Sequence, residues 1–220
     1  MRTSILLVVG LFIVATAASA AMFSDSVTAT ADPGNPLPGS GTYHFYYYGD
    51  IAWQWTLYNG GFIGVDFDPN DNMGDTTPAA YEIAYVDSYW NYDPDGDYDT
   101  TLYICPDNGG VPDFDNPYYT DGPFVPAYYG TQDSHEVSPA VPFGAGYISW
   151  VLFSVVANEG HPISDDDGNS GHSWLSADGY TWELMEDQGG CDWGIDVYAD
   201  DTDDEAIETN SYGGIKVLYQ

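Results

Sequence analysis

Apolar and polar positions along this chain alternate with a period of two, and nowhere do they settle into a sustained 3.6-residue stripe with helix caps. Ile51, Trp53, Trp55 and Leu57 alternate with Ala52, Gln54, Thr56 and Tyr58. Asn59-Gly60-Gly61 then turns the chain into Phe62 to Phe67, where Ile63, Val65 and Phe67 share one side, so the two runs read as a hairpin. Tyr43 to Tyr48 is aromatic throughout, and Tyr81 to Trp90 predicts a longer strand. Leu102 and Ile104 alternate with Thr101, Tyr103 and Cys105; Pro106 ends that run, and Asp107-Asn108-Gly109-Gly110 is turn chemistry. The proline-rich segment Val111 to Tyr129 reads as loop or broken edge strand. Ser134 to Val141 is at best a short polar strand. Tyr147 to Ala157 is apolar on both faces and predicts a central strand covered on each side. Ser173 to Leu175 and Tyr180 to Met185 predict a hairpin around Asp178-Gly179, and Trp193, Ile195 and Val197 mark the last clear strand.

Many short strands separated by Gly, Pro, Asn and Asp predict an all-β fold, an antiparallel β-sandwich of jelly-roll type. The flanks are different. Residues 1–21 carry Arg2, an apolar run from Ile5 to Val14 and an Ala-rich end, the pattern of a secretory signal peptide cleaved near Ala20 or Ala21. That run is too short for a bilayer span, and no later stretch is long enough, so no membrane span is expected after cleavage. Residues 22–40 read as a linker or leader with at most an edge strand, 41–199 as the β-sandwich domain, and 200–220 as an acidic C-terminal tail.

Charge narrows the function. The chain has 35 Asp and Glu against two Lys and Arg, and loss of the leader removes Arg2 and leaves Lys216. Phosphates cannot be neutralised by such a chain, which excludes nucleic-acid binding and, on the same ground, anionic lipid headgroups. Enzymes built on an Arg clamp are excluded too, as are those using a Lys nucleophile other than Lys216. The acids are 28 Asp against seven Glu. A solubilising coat does not require that bias, whereas oxygen-rich loops holding divalent cations do.

Two cysteines in an exported chain predict one disulfide, Cys105 to Cys191, which would stabilise by about 4 kcal/mol in the chain-entropy model. Two buried free thiols are the alternative. Parity bears on the choice: Cys105 lies on the face opposite Leu102 and Ile104, while Cys191 shares the parity of Trp193 and Ile195. A bond therefore requires one cysteine to leave its strand's regular pleat.

Ile104-Cys-Pro-Asp-Asn-Gly-Gly-Val-Pro112, the Trp150 strand, Gly171-His-Ser-Trp174, Trp182 and Trp193-Gly-Ile-Asp-Val197 occur here in an order that resembles β-sandwich modules of secreted, multi-domain surface proteins from poorly studied bacterial lineages. The resemblance spans roughly Tyr43 to Ala199. It implies a non-catalytic, galactose-binding-like or adhesive domain and carries no catalytic residues with it. The closing Ser211-Tyr-Gly-Gly-Ile-Lys-Val-Leu-Tyr-Gln220 also resembles a C-terminal signature of such exported proteins, with Tyr212 where a Trp is common and Gln220 where an Arg ends the chain.

Asp93, Asp95, Asp97 and Asp99 alternate through a Gly-containing turn, a spacing that can aim several carboxylates at one calcium ion without being an EF-hand. Asp66 to Asn72 and Asp165 to Asn169 are near misses of the same kind, and solvated acidic turns are the alternative for all three. Twenty Tyr and seven Trp offer flat faces for sugar rings or buried interfaces. Trp53, Trp55, Trp150 and Trp193 are expected to fill the core. Tyr118, Tyr119, Tyr128 and Tyr129 are the favoured ligand-binding aromatics, with Tyr46, Tyr48, Tyr89 and Trp90 as further candidates. The four histidines show no metal-ligand spacing, and a Gly-x-Ser-x-Gly elbow is absent.

The expectation is a secreted, non-catalytic, carbohydrate-binding or adhesive protein at the cell surface, with calcium as cofactor and an extracellular glycan or a second copy of itself as partner. Two alternatives stand beside it. One is a structural subunit of an extracellular filament or layer. The other is a jelly-roll glycoside hydrolase or lyase using acids such as Glu183 and Glu186.

Overall fold

A computed structural model describes residues 21–26, 43–68, 80–91, 98–127, 132–144, 148–166, 170–189 and 191–201, and these described residues hold thirteen strands and one short 3₁₀ turn. The strands are β1 (Ala21–Ser26), β2 (Tyr43–Phe45), β3 (Ile51–Leu57), β4 (Phe62–Phe67), β5 (Ala80–Tyr89), β6 (Asp99–Pro106) and β7 (Tyr119–Phe124). They continue as β8 (Gln132–Gly144), β9 (Ser149–Ala157), β10 (Ile163–Asp165), β11 (Ser173–Ser176), β12 (Trp182–Leu184) and β13 (Ile195–Asp201). The all-β expectation holds: every pairing between these strands is antiparallel. No helix among the described residues is long and apolar enough to cross a membrane. Residues 1–20 of the predicted 1–21 leader, and residues 202–220 of the predicted 200–220 tail, lie outside the described residues.

Three sheets result, ordered β1-β3-β10, β12-β11-β4-β9-β6-β7 and β2-β13-β5-β8. Their inward side chains meet in one core. Ile63, Val65 and Phe67 come from β4, Leu102 and Ile104 from β6, Val151, Phe153 and Val155 from β9, and Ile195 and Val197 from β13. The period-two pattern explains this directly, since alternate residues of a strand point to one face. Trp55 of the three-stranded sheet enters the same core and meets Trp193 edge-to-face at 5.9 Å. Its indole N–H is satisfied by Ser164 Oγ at 2.9 Å, so a polar edge is buried without an orphaned donor.

β9 is the predicted central strand, paired with β4 on one side and β6 on the other. β7 is the predicted broken edge strand, β1 lies at the edge of its sheet, and β11 and β12 form the hairpin around Asp178-Gly179. Two expectations fail. β3 and β4 are consecutive but do not pair: β3 joins β1 and β10, while β4 joins β9 and β11. Asn59-Gly60-Gly61 switches the chain between sheets, with Gly60 N–H bonded to Val155 O at 2.7 Å. The polar run around Ser134 is not a short strand but the middle of the 13-residue β8, whose inward residues include Val137, Val141 and Phe143.

The predicted disulfide is also corrected. Cys105 and Cys191 are both buried free thiols. Cys105 points away from the core into a separate apolar layer with Trp150 and Leu152, whereas Cys191 lies in the main core. The pleat of β6 turns Cys105 away from the main core in which Cys191 lies, and no bond forms.

Candidate functional site

The outward face of the six-stranded sheet carries an aromatic layer that ends in an open cavity. Strand parity builds it: Phe62, Tyr103, Trp150, Trp174 and Trp182 come from β4, β6, β9, β11 and β12, and Phe114 folds back from the segment after the Asp107 turn. Trp150 lies 5.4 Å from Trp174 and 5.6 Å from Trp182, and Phe114 stacks on Trp182 at 6.3 Å with an interplanar angle of 17°. Tyr103 meets Phe114 edge-to-face at 5.6 Å. Gly64 makes room beneath them, since a Cβ there would lie 2.2 Å from Leu152 Cδ2.

The cavity has a volume of about 160 Å³. Asn108, Val111, Pro112, Asp113, Phe114 and Asp115 form one wall; Gly179, Tyr180 and Trp182 form the other. Cavities that enclose drug-sized ligands run to about 300–1,000 Å³, so this one takes a single ring or a chain end. Both walls are stiff. Asp107 Oδ1 accepts Trp150 Nε1–H at 2.9 Å and Gly110 N–H at 3.1 Å, and its Oδ2 accepts Gly109 N–H at 3.2 Å. Both glycines have positive φ, which their lack of a Cβ makes inexpensive. Asp113 accepts Asp115 N–H and Asn116 Nδ2–H, each at 3.1 Å. Across the cavity, Asp178 Oδ1 accepts the N–H groups of Tyr180 and Thr181 at 2.8 Å, and these bonds hold its carboxyl below the usual range. Trp182 Nε1–H donates to Gly179 O at 3.2 Å.

Chemically the cavity sets flat apolar faces beside oxygen acceptors. Asp115 and Asn108 are exposed at the rim, and Tyr180 is 86% exposed. Among the lining residues there is no Ser, Cys, His or Lys to act as a nucleophile or its base.

The predicted site residues fall elsewhere. Asp93, Asp95 and Asp97 lie outside the described residues, as do Tyr128 and Tyr129. Asp99 begins β6, paired with Ala157. Among the described residues no group of three or more His, Cys, Asp or Glu converges as a metal site. Tyr118 is exposed, with its N–H on Ile104 O at 2.8 Å. Tyr119 packs against the core and donates its hydroxyl to Glu136 O at 3.0 Å, tying β7 to β8, and burial pushes its phenol up. It is a strut between sheets. Tyr48, Tyr89 and Trp90 are buried. Trp150 is buried too, but in the outer layer and not in the main core.

Phe114, Tyr180 and Trp182 were not singled out as ligand aromatics by sequence reasoning. The available signal was their position beside the two rigid turns, Asp107-Asn-Gly-Gly and Asp178-Gly, whose joining in space is a tertiary fact. The histidines carry a second unread pattern. Three face aspartates: His44 Nε2 with Asp196 at 2.8 Å, His135 Nε2 with Asp133 at 3.1 Å, and His172 Nδ1 with Asp66 at 3.3 Å. Comparison of this chain with protein-family models, with curated proteins and with solved structures finds no match.

Proposed function

We propose that this protein is a secreted, non-catalytic β-sandwich of jelly-roll type that binds a neutral glycan through the cavity between the 108–115 and 179–182 segments. The observation that carries this reading is the pairing of aromatic faces with rim acceptors. Phe114, Tyr180 and Trp182 suit the apolar face of a sugar ring, and Asp115 and Asn108 suit its hydroxyls. The charge balance sets the ligand's sign. With 35 acids and two basic residues, uronic or sulfated sugars are repelled, so the glycan is neutral. The leader pattern of residues 1–21 supports export, and cell-surface adhesion is the role such binding serves. Calcium held by the acids of the Asp93 to Asp99 segment stabilises the fold in this reading.

A glycan array probed with the purified mature chain, with and without calcium, tests it. Retention on neutral oligosaccharides, reduced by Tyr180→Ala, supports the reading. Absence of binding to every neutral glycan, or binding untouched by that substitution, overturns it.

A further inference from the structure

The outward face of the four-stranded sheet buries two carboxyls opposite one another. β13 contributes Asp196 and Tyr198 to this face, β5 contributes Tyr85, Asp87 and Tyr89, and β8 contributes Gln132, Ser134 and Glu136. β2 adds His44, and Tyr46 and Tyr48 of the segment that follows fold over it. Asp196 and Asp87 are direct cross-strand partners, and neither has any exposed surface. Side chains opposed in this way have Cβ atoms about 4.5–5.5 Å apart, and like charges there repel. Two buried anions at that spacing do not both ionise readily.

The two carboxyls are not equivalent. Asp196 Oδ1 lies 2.8 Å from His44 Nε2, and its Oδ2 accepts the Tyr48 hydroxyl at 2.7 Å. His44 is held over the strand by stacking on Tyr198 at 4.4 Å and 6°. The hydrogen-bonding neighbours of Asp87 are all neutral: the Gln132 amide donates to its Oδ2, and the hydroxyls of Ser134 and Tyr198 also face the carboxyl. Its Oδ1 is buried without a hydrogen-bond partner, and so is the hydroxyl of Ser134, the residue directly opposite on β8. The Ser134 hydroxyl can accept as well as donate, so a proton on Asp87 removes one of two opposed buried charges and leaves its O–H with an acceptor at hand.

We propose that Asp87 is a proton-binding site of the folded protein: it takes one proton from solvent and is held as a neutral carboxylic acid whose Oδ1–H is shared with Ser134, while Asp196 keeps its negative charge against His44. Burial pushes the Asp87 carboxyl up to about 6, with the charge of Asp196 adding to the rise; burial raises the Asp196 carboxyl too, against the lowering pull of His44 and the Tyr48 hydroxyl. Burial also pushes the phenols of Tyr48, Tyr89 and Tyr198 up, so all three remain neutral. The sign of the linkage follows. The folded pKa lies above the unfolded value of about 3.9, so the contribution of this group is fully present below about pH 4 and is lost as pH rises through about 6. The site makes the four-stranded sheet firmer in mild acid than at neutrality, whatever the cavity on the other sheet binds.

The test compares denaturant unfolding of the wild-type chain and Asp87→Asn between pH 4 and 7.5, together with a ¹³C titration of the Asp87 carboxyl in the wild-type chain. The amide of Asp87→Asn stands in for the protonated acid. The wild-type unfolding constant is expected to rise roughly fiftyfold more than that of Asp87→Asn over this range. The carboxyl resonance is expected to titrate near pH 6, and closer to the ordinary value in Asp196→Asn, which removes the neighbouring charge. Parallel pH profiles for wild type and Asp87→Asn overturn the proposal, as does an Asp87 carboxyl that titrates at or below the ordinary range. Should either variant fail to fold, the wild-type titration decides.

Discussion

The indole N–H of Trp150, a residue with no exposed surface, donates to the carboxylate of Asp107 at 2.9 Å, and the same carboxylate holds the glycine turn that walls the cavity. One side chain therefore pins a surface turn to a buried aromatic layer. Asp107→Ala orphans a buried indole donor and two turn amides, and is expected to cost about 1–3 kcal/mol in urea unfolding. Asp107→Asn keeps an acceptor for Trp150 and should recover a good part of that loss. Equal stability of the alanine and wild-type chains would show that the turn holds itself.

Tyr180 offers a cleaner probe of binding because it is 86% exposed and outside the buried clusters. Its replacement by Ala should leave stability within about 0.5 kcal/mol. Glycan affinity should fall by about 0.5–1.5 kcal/mol, the value of one aromatic contact, measured by titration calorimetry. Trp182→Ala should lose both binding and stability, since that ring also stacks with Phe114 and meets Trp150.

Gly64 is set by space and not by backbone conformation. A methyl group there collides with Leu152 Cδ2 at 2.2 Å and crowds Trp182 at 3.4 Å. Gly64→Ala is expected to destabilise by about 1–3 kcal/mol, with near-ultraviolet circular dichroism reporting the displaced tryptophans. An unchanged spectrum and midpoint would mean that the layer has slack to absorb it.

Thiol chemistry checks the corrected cysteine pairing. Burial, with the charge of Asp113 adding, pushes the Cys105 thiol up to about 12, and burial raises the Cys191 thiol as well. Neither is expected to react with a disulfide reagent in the folded chain near neutral pH, and both should react in denaturant without prior reduction. Reductant should leave the melting temperature unchanged. A melting temperature that drops with reductant would reinstate the crosslink.

Calcium is expected to raise the melting temperature, and EDTA to lower it, through the acidic turn at Asp93 to Asp99. Superimposable melting curves would remove the metal from the account.

Period-two alternation made much of the strand pattern legible, because it records which side of a pleat is dry. β4, β6 and β9 could be read almost residue by residue from Ile63, Leu102 and Val151. The pairing of strands was less legible. Asn59-Gly60-Gly61 has hairpin chemistry, yet Gly60 bonds to Val155 and hands the chain to another sheet; a turn specifies a reversal and not its partners. β8 was underestimated because its outward residues, Gln132, Ser134 and Glu136, cover a polar face and dilute the apolar count. Cysteine parity did carry the right warning: the outward face of Cys105 was visible in the alternation of β6. The cavity escaped notice because its two walls stand about 70 residues apart, and nothing local marks their meeting.

The interior position of β13 has a temporal meaning. The four-stranded sheet runs β2-β13-β5-β8, so the last of the described strands slots between two that are synthesised far earlier. Until Ile195 to Asp201 emerges, β2 has no neighbour, β5 has an open flank, and Phe45 and Val86 lack the cover of Val197. Closure across some 150 residues must be met before those contacts return anything, a slow topology. A nascent chain of this design keeps that sheet unclosed until β13, the last of the described strands, has emerged.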